Sequence, residues 1–158
     1  MISLQVKDVY SKEMHSLIVG KDTPVEEVIK SFVEKPELRG IIVVDEKKQF
    51  AGVITRRDLV TWAKFMVGVP QAKNVEEISE SIRVLSKTAE GLISKETKNA
   101  AVALEDNINV VLDKMISLDL IDVPVVNGKE KVVGDIQLLN ILKAILEKNE
   151  KPIKSLQL

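Results

Sequence analysis

Apolar residues recur along this chain at two spacings, and each spacing occurs twice. Val25, Val28, Ile29, Phe32 and Val33 fall at steps of three and four, one face of an amphipathic helix. Ile108, Val111, Leu112, Met115 and Ile116 repeat that spacing 83 residues further on. Thr23 reads as the cap of the first helix, Pro24 as its first residue and Glu26 as the partner in a Thr-x-x-Glu capping box. Asp106 or Asn107 caps the second.

Short runs, apolar up to their last residue, follow each helix and predict buried strands: Ile41–Asp45 in one half, Val123–Asn127 in the other. Each leads into a charged turn, Glu46-Lys47-Lys48 or Gly128-Lys129-Glu130. A second strand follows, ending in Gly52-Val53-Ile54 or Gly134-Asp135-Ile136. A second helix comes next, over Arg56–Val67 and Leu138–Lys148, while Leu17–Val19 and Ala100–Leu104 supply a strand ahead of each first helix. The chain is therefore read as two copies of a strand–helix–strand–strand–helix unit.

Strand–helix–strand connections are parallel and right-handed, and strands joined by a short turn are antiparallel. Each unit should thus form a three-stranded mixed sheet with helices on one face. The fold class is α/β (α+β-like), with two pseudo-twofold-related repeats. The repeats are placed at 1–70 and 85–150, with a connecting segment at 71–84 and a tail at 151–158. Val75, Ile78 and Ile82 suggest a short helix over Asn74–Ser81; Val84–Lys98 has no clear assignment, and Pro152–Leu158 reads as extended.

Composition narrows the function. No cysteine is present, which excludes disulfides, thiolate metal sites and a cysteine nucleophile. The net charge of −1 and the scarcity of aromatic platforms argue against nucleic acid. The N-terminus does not read as a signal peptide and no apolar run is long enough for a membrane span, so a cytoplasmic protein without membrane contact is expected. His15, the single histidine, reads as a surface loop residue, and no metal site or Ser/His/Asp constellation is evident. An enzyme is not expected.

Candidate chemistry gathers at Thr55-Arg56-Arg57-Asp58, where a strand turns into a helix. Free N–H groups and the helix dipole favour anions there, two guanidinium forks suit phosphate, and the carboxylate suits the paired hydroxyls of a ribose. The same four residues also read as a plain capping box. The apolar arcs on the second helices, with Leu59, Trp62, Ala63, Phe65 and Met66 in one and Leu138, Leu139, Ile141, Leu142, Ile145 and Leu146 in the other, are wide enough to serve both a core and a dimer interface.

The ordered recurrence of these motifs resembles a pair of cystathionine-β-synthase (CBS) domains, a Bateman module, here standing alone. In the first copy the resemblance rests on Val6-Lys7-Asp8-Val9, Asp22–Glu27, Arg39–Asp45 and Gly52–Leu59. In the second it rests on Val123–Asn127 and Gly134-Asp135-Ile136. It implies a non-catalytic regulatory module with no cofactor, binding AMP, ADP, ATP or S-adenosylmethionine in the cleft between the motifs. It also implies a homodimer that signals to an unidentified regulated protein. Carried over by position, the ribose falls to Asp58, the phosphates to Thr55, and the base to Ile18, Gly40 and Ile41, beside the phosphate role that Arg56 and Arg57 take from their own chemistry. The second copy departs: Gln137 stands for the threonine, Asn140 for the aspartate, and Asp135 adds a negative charge. Val123, Pro124, Gln137 and Asn140 are thus expected to form a weaker site. The alternative is a ligand-independent interaction or dimerisation scaffold with the same fold.

Overall fold

The computed structural model describes residues 2–68 and 87–156, with 150–156 described by their backbone alone. The chain forms two compact units: His15–Ala100 around the first repeat, and Met1–Met14 with Ala101–Leu158 around the second. The predicted connecting helix at 74–81 lies outside the described residues.

In the first-repeat unit, β1 (Leu17–Gly20), α1 (Val25–Glu34), β2 (Gly40–Val44), β3 (Phe50–Thr55) and α2 (Arg56–Val67) follow in the predicted order. A short helix α3 (Ala89–Leu92) and a 3-10 turn (Lys95–Asn99) follow. The sheet order is β1-β2-β3, with β1 parallel and β3 antiparallel to β2. Every residue of β2 is buried, as its unbroken apolar run requires. Ile41, Val43 and Ile54 point into a core closed by Val25 and Val28 of α1 and by Ala89, Leu92 and Ile93 of the α3 segment. Leu59 and Trp62 of α2 pack against the same core. The helices thus lie on one face of the sheet.

The second-repeat unit copies this plan with β4 (Val102–Ala103), α4 (Ile108–Leu118), β5 (Asp122–Val126), β6 (Val132–Gln137) and α5 (Leu138–Leu156). Its sheet order is β4-β5-β6, again parallel then antiparallel. Both hairpins carry a bulge at the same place, between Val43 and Val44 and between Val125 and Val126. Both turns are held by a side chain that accepts two backbone N–H groups. Asp45 Oδ1 takes those of Lys47 and Gln49 at 2.9 Å each, and Asn127 Oδ1 those of Lys129 and Lys131 at 2.9 and 3.1 Å. Lys48 (φ 62°) and Glu130 (φ 60°) take the left-handed position that each turn needs.

Three local readings are corrected. The Thr23–Glu26 capping box is not formed: Pro24 occupies the cap position and no side chain caps α1. Thr23 is instead drawn into backbone pairing, its N–H donating to Gly20 and its carbonyl accepting from Ala89. Asn107, not Asp106, caps α4, accepting from the Asn109 N–H at 2.9 Å. The extended tail is a continuation of α5, which runs to Leu156. Proline penalises a helix by about 3 kcal/mol without forbidding it, and the surrounding Glu, Lys and Leu residues are strong helix formers.

The compact units divide the chain differently from the repeats. The segment ahead of the first repeat belongs to the second-repeat unit, and the segment ahead of the second belongs to the first-repeat unit. The bonds match one for one. Ala89 N–H donates to Thr23 and Glu90 N–H to Lys21 in one unit; Val6 N–H donates to Asp106 and Lys7 N–H to Leu104 in the other. Each flank covers the sheet's outer edge. The Thr97 hydroxyl satisfies both backbone groups of Val53, and Ser11 exchanges two backbone bonds with Asp135.

Candidate functional site

The first-repeat candidates come together at one end of their sheet. Gly40 opens β2 and lies directly across from Thr55, the last residue of β3. Arg56 begins α2 in the next position, and Asp58 stands in its first turn, 4% exposed. Ile41 is fully buried beside Gly40 and pairs with Leu17 of β1. Ile18 follows on the opposite face of the sheet, 39% exposed. Gly40 has no room for a side chain without adjustment, since a Cβ there would lie 3.2 Å from both the Ile54 carbonyl and a Val53 methyl.

Thr55 and Asp58 form a complete capping box. The Asp58 N–H donates to the Thr55 hydroxyl oxygen at 3.3 Å; the Thr55 N–H and hydroxyl donate to Asp58 Oδ2 at 2.8 and 3.0 Å. The carboxylate is thereby held at the helix start, where the dipole favours its charge. The two arginines part company. Arg56 turns back, its Nε and Nη2 donating to the Leu38 carbonyl at 3.3 and 3.2 Å and Nη2 to the Pro36 carbonyl at 2.7 Å. All three arginines, Arg39, Arg56 and Arg57, are exposed, and the two of α2 differ in the bonds they make.

In the second repeat, Asp122 takes the place of Gly40, paired across from Gln137. Gln137 Nε2 donates to Asp122 Oδ2 at 3.4 Å. Asn140 occupies the Asp58 position, but its Oδ1 is buried with no hydrogen-bond partner, so no capping box forms. Val123 and Pro124 are buried in β5, and Asp135 is fully buried in β6. No arginine follows β6; Leu138 and Leu139 stand there instead. Lys114 of α4 donates to the Ala101 carbonyl at 2.7 Å, ahead of β4, and partial burial lowers its pKa. Asp122 was not singled out in the sequence, although Ile121-Asp122-Val123 aligns with Arg39-Gly40-Ile41 and exposes the exchange.

Among the described residues, no group of His, Asp and Glu could hold a metal ion, and no helix is long and apolar enough to cross a membrane. A cavity of about 340 Å³ lies away from both sites, in the second-repeat unit, bordered by Leu4, Asn107, Ile108, Leu112, Ile145 and Asn149.

Two mixed three-stranded repeats, each closing on a polar strand-to-helix turn, define a tandem-repeat α/β module. The sequence model of the CBS domain family matches residues 6–64, the first repeat, and the fold as a whole is that of a CBS domain pair. A CBS domain-containing protein from Thermotoga maritima is 26% identical, with 91% of this chain and 95% of that one covered at a TM-score of 0.67. CBSX2 of Arabidopsis thaliana, solved in complex with AMP, is 19% identical, covering 92% and 98% at a TM-score of 0.69. The CBS domain pair of protein MJ0100, solved with 5′-methylthioadenosine and S-adenosyl-L-methionine, is 21% identical, covering 90% and 99% at 0.62. Comparison with curated proteins gives no match.

Proposed function

We propose that this protein is a regulatory sensor binding an adenosine-type ligand (AMP, ADP, ATP or S-adenosylmethionine) at the first repeat. The carrying observation is the convergence of Gly40, Thr55 and the buried Asp58 at one sheet end, with arginines on both sides. Adenosine derivatives bound to two proteins of this fold support the reading. The Asp58 carboxylate suits the ribose hydroxyls, and Arg57 suits a phosphate. The Thr55 hydroxyl, both donor and acceptor, can exchange its cap bonds for bonds to the ligand. Gly40, which has no side chain, and the half-exposed Ile18 on the same face of the sheet suit the base, whereas the side chain of Ile41 is committed to the core and does not face it. The second repeat, with no arginine, an added carboxylate at Asp122 and the amide of Asn140, takes a phosphorylated ligand poorly. Signalling then follows from a ligand-shifted population of states, read by a partner protein.

Calorimetric titration of the nucleotide-stripped protein with AMP, ADP, ATP and S-adenosylmethionine tests this. Saturable binding near one ligand per chain, weakened about tenfold or more in Asp58→Ala, is the expected result. Absence of heat and of thermal stabilisation with all four would refute it.

A second reading has its own observation. Thr55 and Asp58 satisfy each other within the capping box, and large apolar side chains lie exposed on α2 (Val60, Met66, Val67) and α5 (Leu139, Leu142, Leu146). A ligand-independent scaffold that pairs into a homodimer through these helices fits both facts.

A further inference from the structure

Arg56 is the cation nearest the Thr55 cap in sequence, yet all its described bonds lead away from a ligand. Its guanidinium spans two carbonyls of the α1–β2 connection, those of Pro36 and Leu38. Each bond is charge-assisted, and the fork is planar and pre-organised, so diverting it to a phosphate would forfeit bonds of the stronger kind.

The two repeats solve the same problem differently. In the second, the connection is short, residues 119–121. It is drawn tight by Asp119 in the left-handed position, by a Leu120 N–H bond to Met115 and by a Leu138 N–H bond to Ile121, each 3.0 Å. In the first, the connection is longer, residues 35–39, and includes Pro36, which has no N–H to offer. Among the described residues no backbone bond joins Arg56 to Arg39, the counterpart of Leu138 to Ile121. The arginine side chain ties β2's entrance to α2's start where a backbone bond does so in the other copy. It also anchors Leu38, which is buried, immediately before Gly40.

We infer that Arg56 is a positioning residue: it fixes the 36–40 segment against the start of α2 and so shapes the base-facing side of the first-repeat site without touching phosphate. This rests on the ligand-binding reading above, but its structural half stands alone. The test compares Arg56→Ala, Arg56→Lys and Arg57→Ala in the full chain, with AMP and adenosine as probes, alongside amide hydrogen exchange. Arg56→Ala should weaken AMP and adenosine by the same factor, on the order of tenfold, and speed exchange at Leu38–Ile41 similarly. Arg56→Lys, with a single donor head in place of the fork, should fall between wild type and alanine in both readouts. Arg57→Ala should weaken AMP alone and leave that exchange unchanged. Selective loss of AMP in Arg56→Ala, or unchanged exchange at Leu38–Ile41, would overturn the inference. If wild type binds neither probe, the exchange result alone decides the role of Arg56, and the sensor reading is judged separately by the four-ligand titration.

Discussion

Two threonines followed three residues later by an acid show how far local sequence goes. Thr23-x-x-Glu26 and Thr55-x-x-Asp58 are equivalent on paper, yet only the second forms a box. The difference lies in the backbone of Thr23, which is committed to Gly20 and Ala89 and leaves Pro24 at the cap position. Thr55→Ala should therefore cost about 1 kcal/mol in urea denaturation, the usual worth of a cap. Thr23→Ala should stay within about 0.5 kcal/mol of wild type. Equal losses would show that Thr23 caps α1 in solution. Residue types at the candidate site were legible in the sequence. The direction of each side chain was not: Arg56 and Arg57 are neighbours with identical chemistry, and only the carbonyls of Pro36 and Leu38 separate them.

At the scale of elements, the glycines within β3 and β6 answer to packing rather than to ligand. A Cβ on Gly52 would collide with the Ile93 side chain, and one on Gly134 with the Ser11 carbonyl oxygen and the Tyr10 ring. Both obstacles belong to the flank covering that sheet. Gly52→Ala should lose about 1–3 kcal/mol, because a side chain can partly yield. Gly134→Ala should lose more, because its obstacle is backbone held by the Ser11–Asp135 pairing. Thermal denaturation of the two variants measures the order, and the reverse order would mean that the Ser11 segment yields more readily than Ile93. The strands and helices around these glycines follow from periodicity, and Arg56–Val67 matches the predicted helix at both ends. The tail does not follow, since Pro152 marks a helix end in isolation and here lies within α5.

The whole molecule adds what neither copy contains alone. Leu4 and Val6 are buried in the second-repeat unit although they stand at the start of the chain, and Leu92 and Ile93 are buried in the first-repeat unit. Removing residues 1–11 should uncover β6 and forfeit several kcal/mol of apolar burial, about 1.5–3 kcal/mol for each buried side chain lost. Against a typical total of about 5–15 kcal/mol, the second repeat should lose cooperative unfolding, seen as raised amide exchange along β6 and an earlier melt. An unchanged melting curve would mean that the flank contributes little.

Sequence alone was sufficient for the repeat, the order and type of its elements, the sheet topology and the place of the polar strand-to-helix turn. These depend on local periodicity and chirality, which neighbouring residues carry. Tertiary structure decided the ownership of the flanks, the role of the glycines, the choice between two capping boxes and the separate fates of Arg56 and Arg57. Each of these depends on which distant backbone group comes within hydrogen-bonding or van der Waals reach, and no spacing along the chain encodes that distance.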